Sequence, residues 1–322
     1  MENKSTLIKY IVAYIILGLV VFISGCKDSV NAPDINSSTT TTDPAVFETL
    51  ANQDETLSSF EPNYNENDAM SFLGKTLTEI YPIRVGQKMR LVSKNYEVNE
   101  VGDTAYVKMT KTFEGVLFIK GSYTPPDSNS SNAGDTLIEK SFSTTMNRNL
   151  IFAKKQIGDI PLNNWKLVAA SLPAGGTLTD NINITKLTVT YSNGEQLVIT
   201  NPTEFYLTRE FPIWRQIPVV ARNEEVVVEV AVTSAYADSD FVTITYGSDK
   251  FGQHRDKRKF DLISSVQNGN LYDKVYQKKF NTHQFPGHFH AIINAFPRQV
   301  IFDDAAPVEA KTCGIPYIVR AN

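Results

Sequence analysis

The second half of the chain alternates apolar and polar residues with the two-residue period of half-buried β-strands. In the clearest case the valines at every second position of 226–232 share one face, whereas Glu225 and Glu229 lie on the other. Asn193-Gly194 separates two further strands and favours a two-residue hairpin turn. Such strands, about eight in residues 178–322, predict an all-β sandwich.

Residues 44–172 carry a different pattern, in which helical spacing precedes strand alternation. Asp43 can cap a helix that begins at Pro44, and an apolar stripe predicts a second helix over residues 69–80 that ends at Tyr81-Pro82. Strands are predicted after it at 89–98, 104–112, 116–123, 136–146, 149–154 and 165–171. We therefore expect an α+β domain in which helices are followed by an antiparallel meander.

The start of the chain has the layout of a secretory signal. Lys4 and Lys9 form a basic beginning, an uncharged apolar run follows, and the run ends in Ile23-Ser24-Gly25-Cys26. This segment resembles a bacterial lipoprotein signal peptide with its lipobox. The resemblance implies that residues 1–25 are removed and that Cys26 is acylated, which would attach the protein to a lipid bilayer outside the cytoplasm.

An uncleaved transmembrane anchor is the alternative, because the apolar run approaches the roughly 20 residues that span a bilayer. The residues directly after Cys26 are mostly polar and include Pro and Asn, which disfavour a helix, so cleavage of the signal peptide is favoured over a membrane span. Residues 26–43 contain little that could pack, and they are predicted to be a disordered tether. In both cases we expect a membrane-anchored protein, at the outer membrane or cell surface.

Charge and cysteine content narrow the possible partners. The chain has 31 basic and 35 acidic side chains, a formal net charge of −4, and one local basic cluster at Arg255–Lys259. We expect no nucleic-acid partner, since such proteins concentrate Lys and Arg into a patch. Besides Cys26 the chain has only Cys313, so no disulfide framework is expected, and Cys313 is predicted to be a buried, inert thiol.

The order of elements in residues 44–172 resembles the NTF2-like cone fold, with a meander that includes 101–107 and closes on 164–169. In that family helices pack into the concave side of a curved sheet and leave a pocket, which some members use for catalysis and many for binding or assembly. The ionisable candidates for this pocket are Asp68, Tyr81, Asp103 and Tyr106. All four histidines lie at or beyond His254, outside the expected cone, which argues against proton transfer there.

The run Pro173-Ala174-Gly175-Gly176 is rich in residues that favour turns, so residues 173–177 are predicted to be a linker between the two domains. Beyond it, Pro286-Gly287-His288-Phe289-His290-Ala291 resembles the Pro-Gly-X-aromatic strand of bacterial immunoglobulin-like and fibronectin-like modules. The resemblance implies an immunoglobulin-like sandwich over residues 178–322. Phe289 stands where those modules usually place Tyr, so their corner hydrogen bond would be absent.

Two groups of candidate metal ligands lie at opposite ends of the predicted sandwich. Carboxylates that would suit Ca²⁺ are Asp238, Asp240, Asp303 and Asp304, although solvated turn residues are the simpler interpretation. Imidazoles that would suit Zn, Cu or Ni are His254, His283, His288 and His290, with the last two on one side of a strand. Neither group has a recognised ligand motif, so no resident cofactor is predicted, with Ca²⁺ as the open alternative.

The sequence contains no assembled catalytic signature. We therefore expect a non-catalytic, lipid-anchored envelope or surface protein that binds or assembles with a protein partner in the envelope. An enzyme or small-ligand carrier using the cone pocket is the first alternative. Glycan binding by the sandwich is the second, and it would need exposed aromatic residues, for which the candidates are Trp214, Tyr272 and Tyr276.

Overall fold

Strands dominate the folded part of the chain. The computed structural model describes residues 42–65, 71–72, 80–124, 136–155, 160–210, 213–247 and 255–320. Within these residues the strands form two sheets, whose neighbours run antiparallel except for one short parallel pair, and the helices are short.

Capping by aspartates explains where the first helices begin. The helices are α1 Pro44–Gln53, α2 Glu55–Ser58, α3 Phe60–Tyr64, α4 Pro161–Asn164 and α5 Arg298–Phe302, with a 3₁₀ turn at Pro202–Glu204. The Asp43 side chain accepts a hydrogen bond from the Ala45 backbone N–H at 2.9 Å, which confirms the predicted start at Pro44.

No helix within the ranges given above combines the length and the apolar character that crossing a bilayer requires.

The strands cover most of the remaining described residues. They are β1 Ser71–Phe72, β2 Tyr81–Val101, β3 Thr104–Ser122, β4 Thr136–Lys154, β5 Trp165–Ser171, β6 Ala174–Gly176, β7 Ile182–Thr190, β8 Gln196–Ile199, β9 Tyr206–Glu210, β10 Ile213–Trp214, β11 Val219–Val220, β12 Glu225–Ser234, β13 Phe241–Tyr246, β14 Asp256–Lys259, β15 Asp261–Asn268, β16 Leu271–Asn281, β17 Gly287–Phe296 and β18 Lys311–Val319.

One sheet of 13 strands connects the two halves of the chain. Its path runs β1-β2-β3-β4-β6-β18-β17-β13-β14, with β5, β9, β10 and β11 attached beside it. Strands β2, β3 and β4 are 21, 19 and 19 residues long and form a three-stranded ribbon. Because β1 lies beside β14, at the other end of the path, the sheet curls back on itself.

The three-residue strand β6 joins β4 to β18 by hydrogen bonds on both of its edges. A Cβ atom at Gly175 would lie 1.8 Å from the Thr145 carbonyl oxygen, so the backbones approach this closely only because the residue is glycine. Residues 174–176, which we predicted to lie in a linker, therefore form a strand inside the large sheet.

The second sheet has five strands in the order β15-β16-β12-β7-β8, and its apolar face packs on β13, β17 and β18. The valines at every second position of 226–232 in β12 are buried there with Ile244, Ile293 and Ile315. This layer confirms the predicted β-sandwich in outline, because one face of β12 is buried and the other is half-exposed, as its alternation indicated.

The concave face of the large sheet packs on α2 and α3. Phe60 and Tyr64 of α3 are buried against Phe113 and Met146 of the ribbon. Gly314 of β18 leaves room for the Phe60 ring, since a Cβ atom there would lie 3.0 Å from it. The packing explains why β13 is buried on both faces, whereas the alternation of Val242, Ile244 and Tyr246 with Thr residues predicts one buried face.

The predicted NTF2-like cone is wrong, and the chain is mostly β rather than α+β. The helices in residues 44–64 are only ten, four and five residues long. Ser71–Phe72, inside the predicted second helix, form strand β1, and the stripe positions Ala69, Leu73 and Leu77 lie outside the described residues. The predicted meander forms, but it continues through β6 into the sheet of the second half instead of closing a separate cone.

Candidate functional site

Two of the predicted metal-binding histidines share one side of β17, as expected, but they contact hydroxyl groups of the helices. His288 Nδ1 lies 3.3 Å from Thr56 Oγ1, and His290 Nδ1 lies 2.6 Å from Ser59 Oγ. His290 is completely buried. In this arrangement the two rings fasten the α2–α3 segment to the large sheet.

The other predicted imidazoles do not join this pair. The His283 ring packs edge-on against Phe289, with ring centroids 4.2 Å apart, and its Nε2 lies 3.1 Å from the Tyr317 hydroxyl. His254 lies outside the described residues. Among the side chains that the structure describes, no group of three or more His, Cys, Asp or Glu is placed to hold a metal ion.

Asp240, one of the four carboxylates considered for Ca²⁺, forms a buried ion pair. Its Oδ2 lies 3.0 Å from Lys274 Nζ, and neither side chain is exposed to solvent. Its oxygens also accept hydrogen bonds from Ser234 and Tyr276, and Lys274 donates to the carbonyl oxygen of the exposed Asp238. Burial raises the pKa of the Asp240 carboxyl, and Lys274 opposes that rise.

The remaining pair of these carboxylates lies in the loop after α5. Asp304 accepts a hydrogen bond from the Tyr123 hydroxyl at 2.8 Å, and the Asp303 side chain accepts one from the Ala305 backbone N–H at 2.9 Å. The structure therefore gives Asp240, Asp303 and Asp304 separate partners within the protein.

The residues predicted to line a cone pocket are dispersed. Tyr81 begins β2 and Asp103 lies in the turn that follows β2, so the two are at opposite ends of a 21-residue strand. Asp68 lies outside the described residues. Tyr106 on β3 is 49% exposed and does line a cavity, on the outer face of the ribbon.

The aromatic residues proposed for glycan binding by the sandwich are not surface platforms. Trp214 and Tyr276 are buried, and Tyr272 is half-buried with Lys274 Nζ 5.9 Å from its ring centroid. Cys313 is also buried, which raises the pKa of its thiol to about 12 and keeps it protonated near neutral pH. The prediction that Cys313 is buried is confirmed.

The outer face of the ribbon, opposite α3, presents short uncharged polar residues in register across three strands. Ser93, Thr112 and Thr145 form one cross-strand row, and Asn95, Thr110 and Asn147 form the next. We call these six residues the hydroxyl–amide surface. Neighbouring strands are about 4.8 Å apart and successive rows about 6.7 Å apart, so the groups form a regular grid.

A groove of about 630 Å³ begins where the hydroxyl–amide surface meets the second sheet. Its floor includes Thr145, Asn147 and the backbone of Gly175, while its walls come from β7 and the 3₁₀ turn. The polar side chains of these walls are Thr177, Asn183, Thr185, Thr200, Asn201 and Thr203. Among the described residues that line it, Lys311 is the one charged side chain.

A second cavity of about 270 Å³ lies on the other side of the 3₁₀ turn. It is lined by Tyr106, Tyr206 and Asn149, together with Glu97 and Lys108. Asn149 also donates a hydrogen bond to the Thr203 carbonyl oxygen at 3.0 Å, so the turn is fixed between the two cavities. The groove, the second cavity and the hydroxyl–amide surface together form the candidate site.

Hydroxyl and amide groups can both donate and accept hydrogen bonds, and they do not change charge near neutral pH. The candidate site is therefore suited to recognition. Sequence reasoning missed it, because Thr and Asn at alternating positions of β3 and β4 resemble any polar strand face. The available signal was that these positions, Thr110, Thr112, Thr145 and Asn147, are uncharged where solvated strands usually carry Lys or Glu.

Comparison of the chain with known proteins gives no match to a family model, to a curated protein or to a solved structure.

Proposed function

We propose that this protein is a lipid-anchored component of the bacterial envelope or cell surface that binds another envelope component and does not catalyse a reaction. The single observation that carries the proposal is the hydroxyl–amide surface with its adjoining groove, an extended polar site without a cluster of charge. The sandwich over residues 178–322, which we take to be immunoglobulin-like, supplies one wall of that groove through β7.

The anchor in this proposal is an acylated Cys26, at the end of the apolar N-terminal run. One acyl chain binds a bilayer only reversibly, whereas several on one residue give stable attachment. Residues 26–43 would then hold the folded part away from the bilayer, so that the groove can reach a partner.

We expect Cys26→Ala to move the protein from the membrane fraction to the soluble fraction of its native host. The reason is that this substitution removes the thiol to which the proposal assigns the acyl chains. Fractionation followed by immunoblotting measures the change. Cys313→Ala is the matched control, since Cys313 is buried in the core, and it should leave the protein in membranes.

Intact-mass analysis of the wild-type protein provides the opposing test. A mass that retains residues 1–25, or that shows an unmodified sulfur at Cys26, contradicts the proposed anchor. Membrane retention of Cys26→Ala with a correctly cleaved N-terminus contradicts it as well.

A photo-reactive amino acid at Leu178 tests the binding site in native membranes. Leu178 lines the groove and its side chain is fully exposed, so the replacement does not disturb packing. We expect a light-dependent adduct from this position. Val266, which is 62% exposed on the edge strand β15, is the matched control and should give none. Equal labelling from both positions, or none from Leu178, would contradict the proposed site.

A further inference from the structure

The ligand class follows from the chemistry of the hydroxyl–amide surface and its two cavities. Thr, Ser and Asn side chains combine donor and acceptor capacity, which matches a ligand whose own hydroxyl groups do both. Some of that capacity is internally ordered, because Thr110 donates to Asn147 Oδ1 at 2.9 Å. Thr110 and Asn147 are therefore held in position before a ligand arrives.

Charge excludes a polyanion as the preferred ligand. Glu97 and Lys108 lie 3.7 Å apart at the edge of the second cavity, so their charges offset each other. Lys311 in the groove donates toward the Thr177 carbonyl oxygen at 3.5 Å. The whole chain has a formal net charge of −4, which repels an acidic polymer.

Aromatic rings lie at one end of the site. Tyr106 is 49% exposed and lines the second cavity with Tyr206, which is half-buried. Such rings offer an apolar face with a polar edge, which suits the C–H face of a sugar ring. From Tyr106 to Thr112 along β3, the second cavity and the hydroxyl–amide surface together extend over about 20 Å, with the Glu97–Lys108 pair between them. This is the length of a chain rather than of a single small molecule.

The backbone pairing disfavours an extended peptide as the ligand. A peptide that adds a strand needs unpaired main-chain groups. Strand β3 is paired with β2 and β4 on its two sides, and β4 is paired with β6 at 145–147 and with β5 at 150–154. The outer edge of β2 is paired with β1 at 84–85, so a strand added there would lie beside the hydroxyl–amide surface and not across it. Recognition on this face must therefore come from side chains.

We propose that the hydroxyl–amide surface, the groove and the Tyr106 cavity together bind an uncharged polysaccharide chain. This inference rests on the proposed function and adds the ligand class to it. Tyr106 and Tyr206 contact a sugar ring at one end, and the Thr and Asn side chains bind hydroxyl groups along the chain.

The test uses the full chain purified from host membranes in detergent. Cellulose, chitin, starch and mannan are the uncharged probes, and polygalacturonate is the polyanionic control. We expect depletion from solution by at least one uncharged probe. For that probe, Tyr106→Ala weakens binding about 10-fold and Thr145→Val about 5-fold, through loss of a ring contact and of a hydrogen bond respectively.

Tyr123→Ala is the matched control, because Tyr123 is 51% exposed at the other end of the ribbon and lines neither cavity. It should bind as the wild type does, and circular dichroism establishes that each variant is folded. Binding to none of the four uncharged probes, equal binding by all variants, or a preference for polygalacturonate would overturn the inference. If the Leu178 adduct still forms in that case, the binding site stands and only the ligand class is wrong.

Discussion

Replacing Lys274 with Met is expected to lower the free energy of unfolding by about 3–5 kcal/mol, because it leaves the Asp240 carboxylate buried without a counterion. The pair joins the two sheets of the sandwich, with Asp240 just before β13 and Lys274 on β16. Both side chains are fully buried, so water cannot solvate the charge that remains. Urea unfolding followed by the fluorescence of the buried Trp165 and Trp214 measures the loss.

The double variant Asp240→Asn/Lys274→Met separates the charge from the packing. Its amide can still bind Ser234 and Tyr276 without leaving a charge in the core, so it should recover at least half of the lost stability. Lys279→Met is the surface control. The Lys279–Glu225 pair joins the neighbouring strands β16 and β12, and more than half of the Lys279 side chain is exposed to solvent. We expect about 0.5 kcal/mol or less there. Equal losses for Lys274→Met and Lys279→Met would show that the buried pair contributes no more than a surface one.

Local alternation was sufficient to predict the strands whose environment differs between two faces. The buried valine positions of β12 are where the pattern placed them, and the chain does reverse at Asn193-Gly194. The predicted two-residue turn is wrong, however, because Tyr191 and Glu195 close a three-residue loop in which Gly194, and not Asn193, has a positive φ, of 83°. The pattern failed where a strand contacts protein on both sides. β13 is one such strand, because its second face meets α3, which lies far away in the sequence.

The meander also contains strand boundaries that the local pattern predicted wrongly. We predicted separate strands at 104–112 and 116–123, yet β3 continues through Gly115. A Cβ atom at Gly115 would lie 2.6 Å from Met89 Sδ, so the glycine marks close packing and not a turn. Likewise β4 continues through Arg148, a fully buried cation on the concave face that interrupts the apolar pattern.

The candidate site could be predicted only in fragments. Tyr106 was identified from the sequence, but as a residue of a cone pocket that does not form. The grid depends on the register of β2, β3 and β4, and a single-residue slip would turn Thr112 and Thr145 to the concave face. The groove wall depends on β7 and residues 200–203 folding back over the ribbon, a contact that local sequence does not encode.

His290 should make the protein lose stability in acid. Burial, and then the neighbouring charge of Arg148, hold the pKa of its imidazole well below the ordinary value of 6.5. Its Nε2 atom is buried and has no hydrogen-bond partner among the described residues, so nothing there stabilises a second ring proton. The folded state therefore keeps the ring neutral, while the unfolded chain takes up a proton below about pH 6.5.

The direction of the pH dependence follows from the number of protons that His290 binds in the unfolded and folded states. Below pH 6.5 the unfolded state holds one more proton than the folded state at this residue, so the free energy of unfolding falls as the pH falls. The loss therefore grows by about 1.4 kcal/mol for each pH unit below 6.5, until the ring in the folded state also takes up a proton. This contribution is fully present above pH 6.5.

His290→Gln isolates this contribution from the carboxylates that also titrate in acid. The variant loses some stability at pH 8, but the gap between its free energy of unfolding and that of the wild type should narrow steadily as the pH falls from 6.5 to 4.5. Ile292→Val, at a buried position of β17 whose side chain carries no titratable group, is the control, and its curve should stay parallel to that of the wild type. Urea titrations at each pH provide the comparison. A His290→Gln curve that also stays parallel would mean that the ring takes up its proton over the same pH range in the folded and unfolded states, and that the contact with Ser59 does not require a neutral imidazole.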